Sequence, residues 1–324
     1  MAKKKFNLFN VFFNPNKDGK GVKKEDIGPR NLLNFFKLYS RNMGRLMSIN
    51  LLIVFGNFPV IFALLGISGY LNRYGIAPAS QLFGPLQGVL INGGDSPAMA
   101  ALYGVHGAQT QISIETTATY IMYALSALTI FTFGLVSVGT TYLARNIVKG
   151  EPLFVWQDFW YAIKKNLRQG LIFGVIDVIL MFLMGYNIFF YYFNLGSFIN
   201  NMLFYFSLIM AILYIMMRFY IYIIMITFNL SIFKVIKNSL IFAIIGFKRN
   251  FMAIVGISFL IFINYSLLLL YFPIGVIIPF VFLFGHGTFM AAYAAYQKIE
   301  DVMITPYIHE EKKPEIEPIF KDMG

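Results

Sequence analysis

Three ionisable side chains lie inside long apolar stretches of this 324-residue chain: Asp177, Arg218 and His286. A charged group in hydrocarbon is costly and is kept where it meets a partner, a cavity or water. Asp177 stands nine residues beyond Arg168, the last charge before its apolar run, and Arg218 about ten residues from the end of the following run. If the two runs are antiparallel helices rising about 1.5 Å per residue, both groups fall roughly 14–16 Å from the same membrane face and can meet. Two chemistries fit such a pair. One is a buried ion pair that locks a helical hairpin; the other is a proton- or substrate-coupled site in a transport path. His286, in Gly285-His286-Gly287, has no second catalytic group beside it and reads as a hydrogen-bonded core histidine.

The rest of the chain supplies no enzyme. The sequence has no cysteine, which excludes disulfides, zinc–thiolate centres, haem attachment and thiol nucleophiles. Gly-x-Ser-x-Gly and His-Glu-x-x-His motifs are missing, and no apolar run carries paired carboxylates. The three histidines, His106, His286 and His309, are too dispersed for a metal site, so no metal and no cofactor are expected. The chain reads as non-catalytic.

The elements that must position these residues are membrane helices. Hydrophobic residues make up 58% of the sequence and charged residues 13%, against roughly 45–50% and 25% in soluble domains. A bilayer core about 30 Å thick takes roughly 20 apolar helical residues to cross. Six segments qualify: 46–70, 118–143, 171–192, 202–228, 251–270 and 274–296. The fold expected is all-α, a polytopic membrane protein of six transmembrane helices. Of the 26 Lys and Arg residues, 24 fall in segments 1–45, 145–170, 229–250 and 297–324, leaving only Arg73 and Arg218 elsewhere. Alternate loops are therefore nearly free of positive charge, which predicts both termini in the cytoplasm of a multi-pass protein of the bacterial cytoplasmic membrane. It also explains the net charge of +11 without a nucleic-acid partner.

Three divisions follow: a basic cytoplasmic arm over 1–45, a six-helix domain over 46–296 and a cytoplasmic tail over 297–324. The arm interleaves Lys3, Lys4, Lys5, Lys17, Lys20, Lys23 and Lys24 with Phe6, Phe9, Phe12 and Phe13, a pattern suited to an anionic membrane surface. The external loop 71–117 is rich in Gly, Pro, Ser, Gln and Asn, and within it Leu82 to Ile91 is too short to span. The two long cytoplasmic connections each read as an amphipathic interfacial helix. In the first, Trp156, Phe159, Trp160, Ile163 and Leu167 form an apolar stripe, while Lys164 and Lys165 lie on the other face. Trp prefers the headgroup level, so this helix should lie on the bilayer with Trp156, Phe159 and Trp160 inserted. The second sets Ile232, Phe233, Ile236 and Leu240 against Lys234, Lys237 and Asn238. In the last span, Gly287, Ala291 and Ala295 make a small-residue stripe for close helix packing, within the bundle or in a homodimer.

Four stretches carry a likeness to a known family: Ser48-Ile-Asn-Leu-Leu-Ile-Val-Phe-Gly-Asn-Phe-Pro-Val60, Val136-Ser-Val-Gly-Thr-Thr-Tyr-Leu-Ala-Arg145, Val148-Lys-Gly-Glu-Pro152 and Asp158-Phe-Trp-Tyr-Ala-Ile-Lys-Lys-Asn166. They resemble the YesL-like family of bacterial integral membrane proteins over most of the first 180 residues. Genes of that family often lie beside carbohydrate ABC importers and glycan-degrading enzymes. The resemblance implies an accessory or regulatory component associated with carbohydrate uptake, with the lipid bilayer and importer subunits as partners. The alternative expectation is a small-solute secondary transporter that uses Asp177 and Arg218.

Overall fold

The computed structural model describes Gly28, residues 31–93 and residues 96–306. The basic arm's lysines and phenylalanines up to Lys24, and His309 in the tail, lie outside them. The chain is an all-α polytopic membrane protein. Five helical stretches are long and apolar enough to cross a bilayer, and a sixth if the interrupted pair Met43–Gly56 and Pro59–Ile67 counts as one span. Large apolar side chains such as Phe182 and Phe206 cover the outward faces of these helices, as a lipid-facing surface requires.

Two compact units divide the described residues: those up to Val54 together with those from Gly134 on, and those from Phe55 to Phe133. The larger begins with α1 (Leu32–Arg41) and α2 (Met43–Gly56), and continues from within α7 (Thr129–Lys149) through α8 (Val155–Lys165), α9 (Leu167–Phe193) and α10 (Phe198–Thr227). It ends in α11 (Ile232–Ile245), α12 (Phe247–Leu270), α13 (Phe272–Ile278), a π-helical turn over Pro279–Leu283 and α14 (Phe284–Ile299). A last π-helical turn covers Glu300–Ile304, so the helix runs on past residue 297, where the tail was expected to begin. Helix α10 is the axis of this unit. Half of its most apolar window is buried, against 6% for α12, and it packs against α9, α11, α12 and α14.

Helix α1 adds a surface helix that the sequence reading had folded into the arm. Asn31 caps its start, accepting a bond from Asn34 N at 2.9 Å. Its inner face, Asn34, Phe35 and Leu38, is buried, and the Phe35 ring stacks on Phe289 of α14 at 5.5 Å. Leu32, Leu33 and Phe36 point outward.

Polar side chains repair the backbone where the last span is broken. Pro279 has no N–H, which leaves the Gly275 carbonyl without its helical donor. Asn264 of α12 supplies one, Nδ2 to Gly275 O at 3.0 Å. Asn50 of α2 bridges the π turn: its Nδ2 donates to Pro279 O and its Oδ1 accepts from Gly285 N, both at 2.9 Å. Gly285 permits this, because a Cβ there would lie 2.8 Å from Asn50 N.

The smaller unit holds α3 (Pro59–Ile67), β1 (Arg73–Pro78), α4 (Phe83–Ile91), α5 (Pro97–His106), β2 (Gln109–Ile114), α6 (Thr117–Ser126) and the start of α7. Strands β1 and β2 pair antiparallel, from Arg73 opposite Ile114 to Pro78 opposite Gln109. This ribbon was not expected in the 71–117 loop, although the alternating Gln109-Thr-Gln-Ile-Ser-Ile114 is a strand pattern. Asn72 ties its base by donating to Ser113 Oγ at 2.9 Å and accepting from Thr119 Oγ1 at 2.8 Å. The Leu82–Ile91 segment becomes α4, paired with α5. Neither helix buries a residue.

Candidate functional site: a buried ion pair in the bundle

Close backbone contact between α7 and α9 builds the site. A Cβ at Gly174 would sit 2.6 Å from Gly134 Cα, and one at Gly134 would strike the Gly170 carbonyl. Only glycines allow helices this near. Ser137 lies three residues past Gly134 and Asp177 three past Gly174, so each is one turn along and on the same side as the contact.

Helix α10 answers with a ladder. Tyr214, Arg218 and Tyr222 recur at four-residue steps on one face, and all three reach Asp177. Asp177 is fully buried, and Arg218 Nε lies 2.9 Å from its Oδ2 and 3.1 Å from its Oδ1. Tyr214 donates to Oδ1 at 2.7 Å and Tyr222 to Oδ2 at 2.5 Å. Arg218 Nη2 reaches Ser137 Oγ at 3.5 Å, and the guanidinium carbon lies 5.6 Å from the Tyr222 ring centre. A carboxylate has about four acceptor positions. Three hydrogens meet them here, one from each tyrosine and the single Nε–H, which the two oxygens share.

The structure thus brings Asp177 and Arg218 together. Sequence reasoning missed Tyr214, Tyr222 and Ser137, although the four-residue spacing of the tyrosines about Arg218 was a readable signal. It also missed Arg145, a buried cation held by neutral groups. Its Nε and Nη2 donate to Asn146 Oδ1, and its Nη1 donates to Ile226 O at 3.3 Å and to Thr227 Oγ1 at 3.1 Å. Its guanidinium lies 4.6 Å from the Tyr142 ring centre.

His286 is fully buried on α14, apart from the ion pair. Its Nδ1 bonds the Phe282 carbonyl, which can only accept, so Nδ1 carries the proton and Nε2 faces Met43 Sδ at 3.3 Å. The ring stacks on Phe282 and meets Tyr39 edge-on. Among the described residues no three His, Cys, Asp or Glu side chains gather as a metal site would need, and His106 instead bonds Ser80 at 3.1 Å.

Two sequence stripes turn differently from expectation. In α8 only Phe159, Ala162 and Ile163 face inward, Phe159 lying over Gly139 of α7, where a Cβ would meet the ring at 2.5 Å. Trp156 and Trp160 are 63% and 43% exposed and point away from the protein. Leu167 starts the next helix, because Asn166 ends α8 by donating to Ala162 O at 2.9 Å. Phe159 is therefore packed inside the protein and does not share the outward side of the tryptophans. In α11 the inward face is Val235, Ser239 and Phe242, while Phe233 and Leu240 face out. Lys164 and Lys165 are exposed, and Lys165 borders a cleft of about 480 Å³ with Arg168, Gln169 and Asn229. On α14 the close approach falls at Gly285; at Gly287 a Cβ would only touch Ile257 at 3.9 Å, Ala291 is half-buried and Ala295 is buried.

A longer groove of about 530 Å³ runs between α1, α12 and α14, walled largely by apolar side chains. Tyr39 lies on it, and burial pushes its hydroxyl up to about 12.

Residues 114–188 match a family model described as a protein of unknown function, DUF624. The matched stretch takes in α6, α7, α8 and most of α9, with Gly134, Ser137, Gly174 and Asp177, and stops short of Arg218. No curated protein and no solved structure matches the chain. The chain is a multi-pass membrane protein whose central segment is similar to that uncharacterised family.

Proposed function

We propose that this chain is a non-catalytic, YesL-like protein of the cytoplasmic membrane, with both termini in the cytoplasm, that serves as an accessory or regulatory component of carbohydrate uptake. The observation that carries the non-catalytic part is the state of Asp177: fully buried, with both oxygens held by Arg218, Tyr214 and Tyr222. A fully buried carboxylate held by three side chains of one helix face suits a structural tie between helices better than a site visited by a passing solute. The pair acts as a lock between α9 and α10. The uptake role rests on the family resemblance of the sequence, with which the central DUF624 match agrees.

A secondary transporter remains the competing reading, favoured by the 28% exposure of the Arg218 side chain and its reach towards Ser137. The two part experimentally. The full chain is purified from native membranes in mild detergent, its companions are identified by mass spectrometry, and it is reconstituted alone in proteoliposomes. We expect importer permease subunits at near-stoichiometric level and no solute flux from the chain alone. Flux from the chain alone, lost on Asp177→Asn, would establish the transporter instead.

A further inference from the structure

The groove between α1, α12 and α14 has the dimensions and chemistry of a lipid site. Its walls include Phe36, Met252, Phe259, Met290 and Tyr293, and Gly256 hollows its floor. Its volume, about 530 Å³, lies within the roughly 300–1,000 Å³ of small-molecule pockets. Arg249, in the first turn of α12, stands at one end, and Leu260 lies eleven residues farther along the same helix. At about 1.5 Å per residue that is roughly 16 Å, half of a hydrocarbon core about 30 Å thick. The groove thus runs from the headgroup level at which α12 begins to near the bilayer midplane, the depth of one acyl chain.

The polar end selects the headgroup. Among the described residues Arg249 Nη1 is buried without a hydrogen-bond partner, and Asp301 pairs with it only electrostatically, at 3.9 Å. Lys248 beside it is exposed. A guanidinium fork with a spare donor suits a phosphate, which it can hold through two parallel bonds. A neutral segment of protein could offer that donor a carbonyl but no charge, and in a zwitterionic lipid the headgroup's own cation offsets the phosphate, so an anionic lipid matches the guanidinium best.

We infer that this groove binds one anionic phospholipid, its phosphodiester on Arg249 and one acyl chain along Met252, Gly256 and Phe259. Arg249 gives charge selectivity, and the hollow at Gly256 gives the chain its room. A Cβ at Gly256 would already lie 3.2 Å from Met290 Sδ, so a larger side chain there fills the groove.

The full chain, delipidated in detergent, is titrated with dioleoyl phosphatidylglycerol and separately with dioleoyl phosphatidylcholine, and bound lipid is counted by native mass spectrometry. One phosphatidylglycerol per chain should bind at least about tenfold more tightly than phosphatidylcholine, and Arg249→Gln should weaken it by about tenfold. Gly256→Leu should remove the site while thermal unfolding shows the protein intact; if that variant does not fold, Arg249→Gln decides alone. Equal binding of the two lipids, or undiminished binding by Arg249→Gln, would overturn the assignment. So would a site that appears only after residues 1–27 are deleted, since the arm would then be its occupant.

Discussion

A carboxylate at the position of Asp177 survives because both of its oxygens are met, by a guanidinium N–H that they share and by two tyrosine hydroxyls, all from one helix face. The energetic consequence is asymmetric. Truncating one member of a buried ion pair strands the other charge at a cost of about 3–5 kcal/mol, whereas removing both can be nearly neutral. Asp177→Ala and Arg218→Ala should therefore each lower the unfolding midpoint, and the double replacement should regain much of the loss. Tyr222→Phe removes a single bond to a charged acceptor and should cost about 1–3 kcal/mol. Thermal unfolding of the five proteins in detergent measures both effects. Additive losses in the double variant would mean that the two charges do not depend on each other.

Helices α7 and α9 can position that pair only by touching backbone to backbone. Gly174→Val should force them apart, at a cost of about 1–3 kcal/mol for overpacking, and should draw Ser137 away from Arg218. Helix α8 makes a second test. Phe159→Ala should destabilise by about 3–5 kcal/mol, because the ring fills the hollow at Gly139. Trp156→Ala should leave the unfolding midpoint almost unchanged, since that indole faces outward. In proteoliposomes, headgroup-level quenchers should reach Trp156 and Trp160; emission typical of indole in water would contradict membrane contact. These contrasts mark what could be read from the sequence. Span lengths and the common depth of Asp177 and Arg218 follow from apolar run length and helical rise, which are local properties. The inward stripes of α8 and α11 do not, because a helix between bilayer and bundle is apolar on two sides, and only its partner decides which side turns in. The Gly134–Gly174 contact and the Asn50 bridge across the π turn join residues distant in sequence, and composition carries no trace of them. The β1–β2 ribbon was readable in its alternation but was hidden inside a loop rich in turn-forming residues.

At the scale of the whole molecule, sidedness depends on how many times the chain crosses. Five helical stretches qualify as spans, and the sixth crossing must come from Met43–Gly56 followed by Pro59–Ile67. The break has a local cause: Pro59 cannot donate to the carbonyl of Phe55, so the chain turns through Asn57 and Phe58 before the helix resumes, with Val60 N bonding Asn57 O at 3.0 Å. If the pair crosses, the segment before it and the ribbon-bearing loop after it lie on opposite sides, and the two termini share a side. Were it instead re-entrant, five crossings would remain and the termini would be parted. The basic residues favour six crossings, because 24 of the 26 Lys and Arg then fall on one side, and positive charge is retained in the cytoplasm. Reporters after Lys20, Lys165, Lys237 and Lys313 should therefore read cytoplasmic, and one inserted at Gly93, in the turn between α4 and α5, should read external. A reporter at Lys20 on the same side as one at Gly93 would show that the interrupted pair does not cross. A cytoplasmic signal at Gly93 together with external signals at Lys165 and Lys237 would invert the whole orientation.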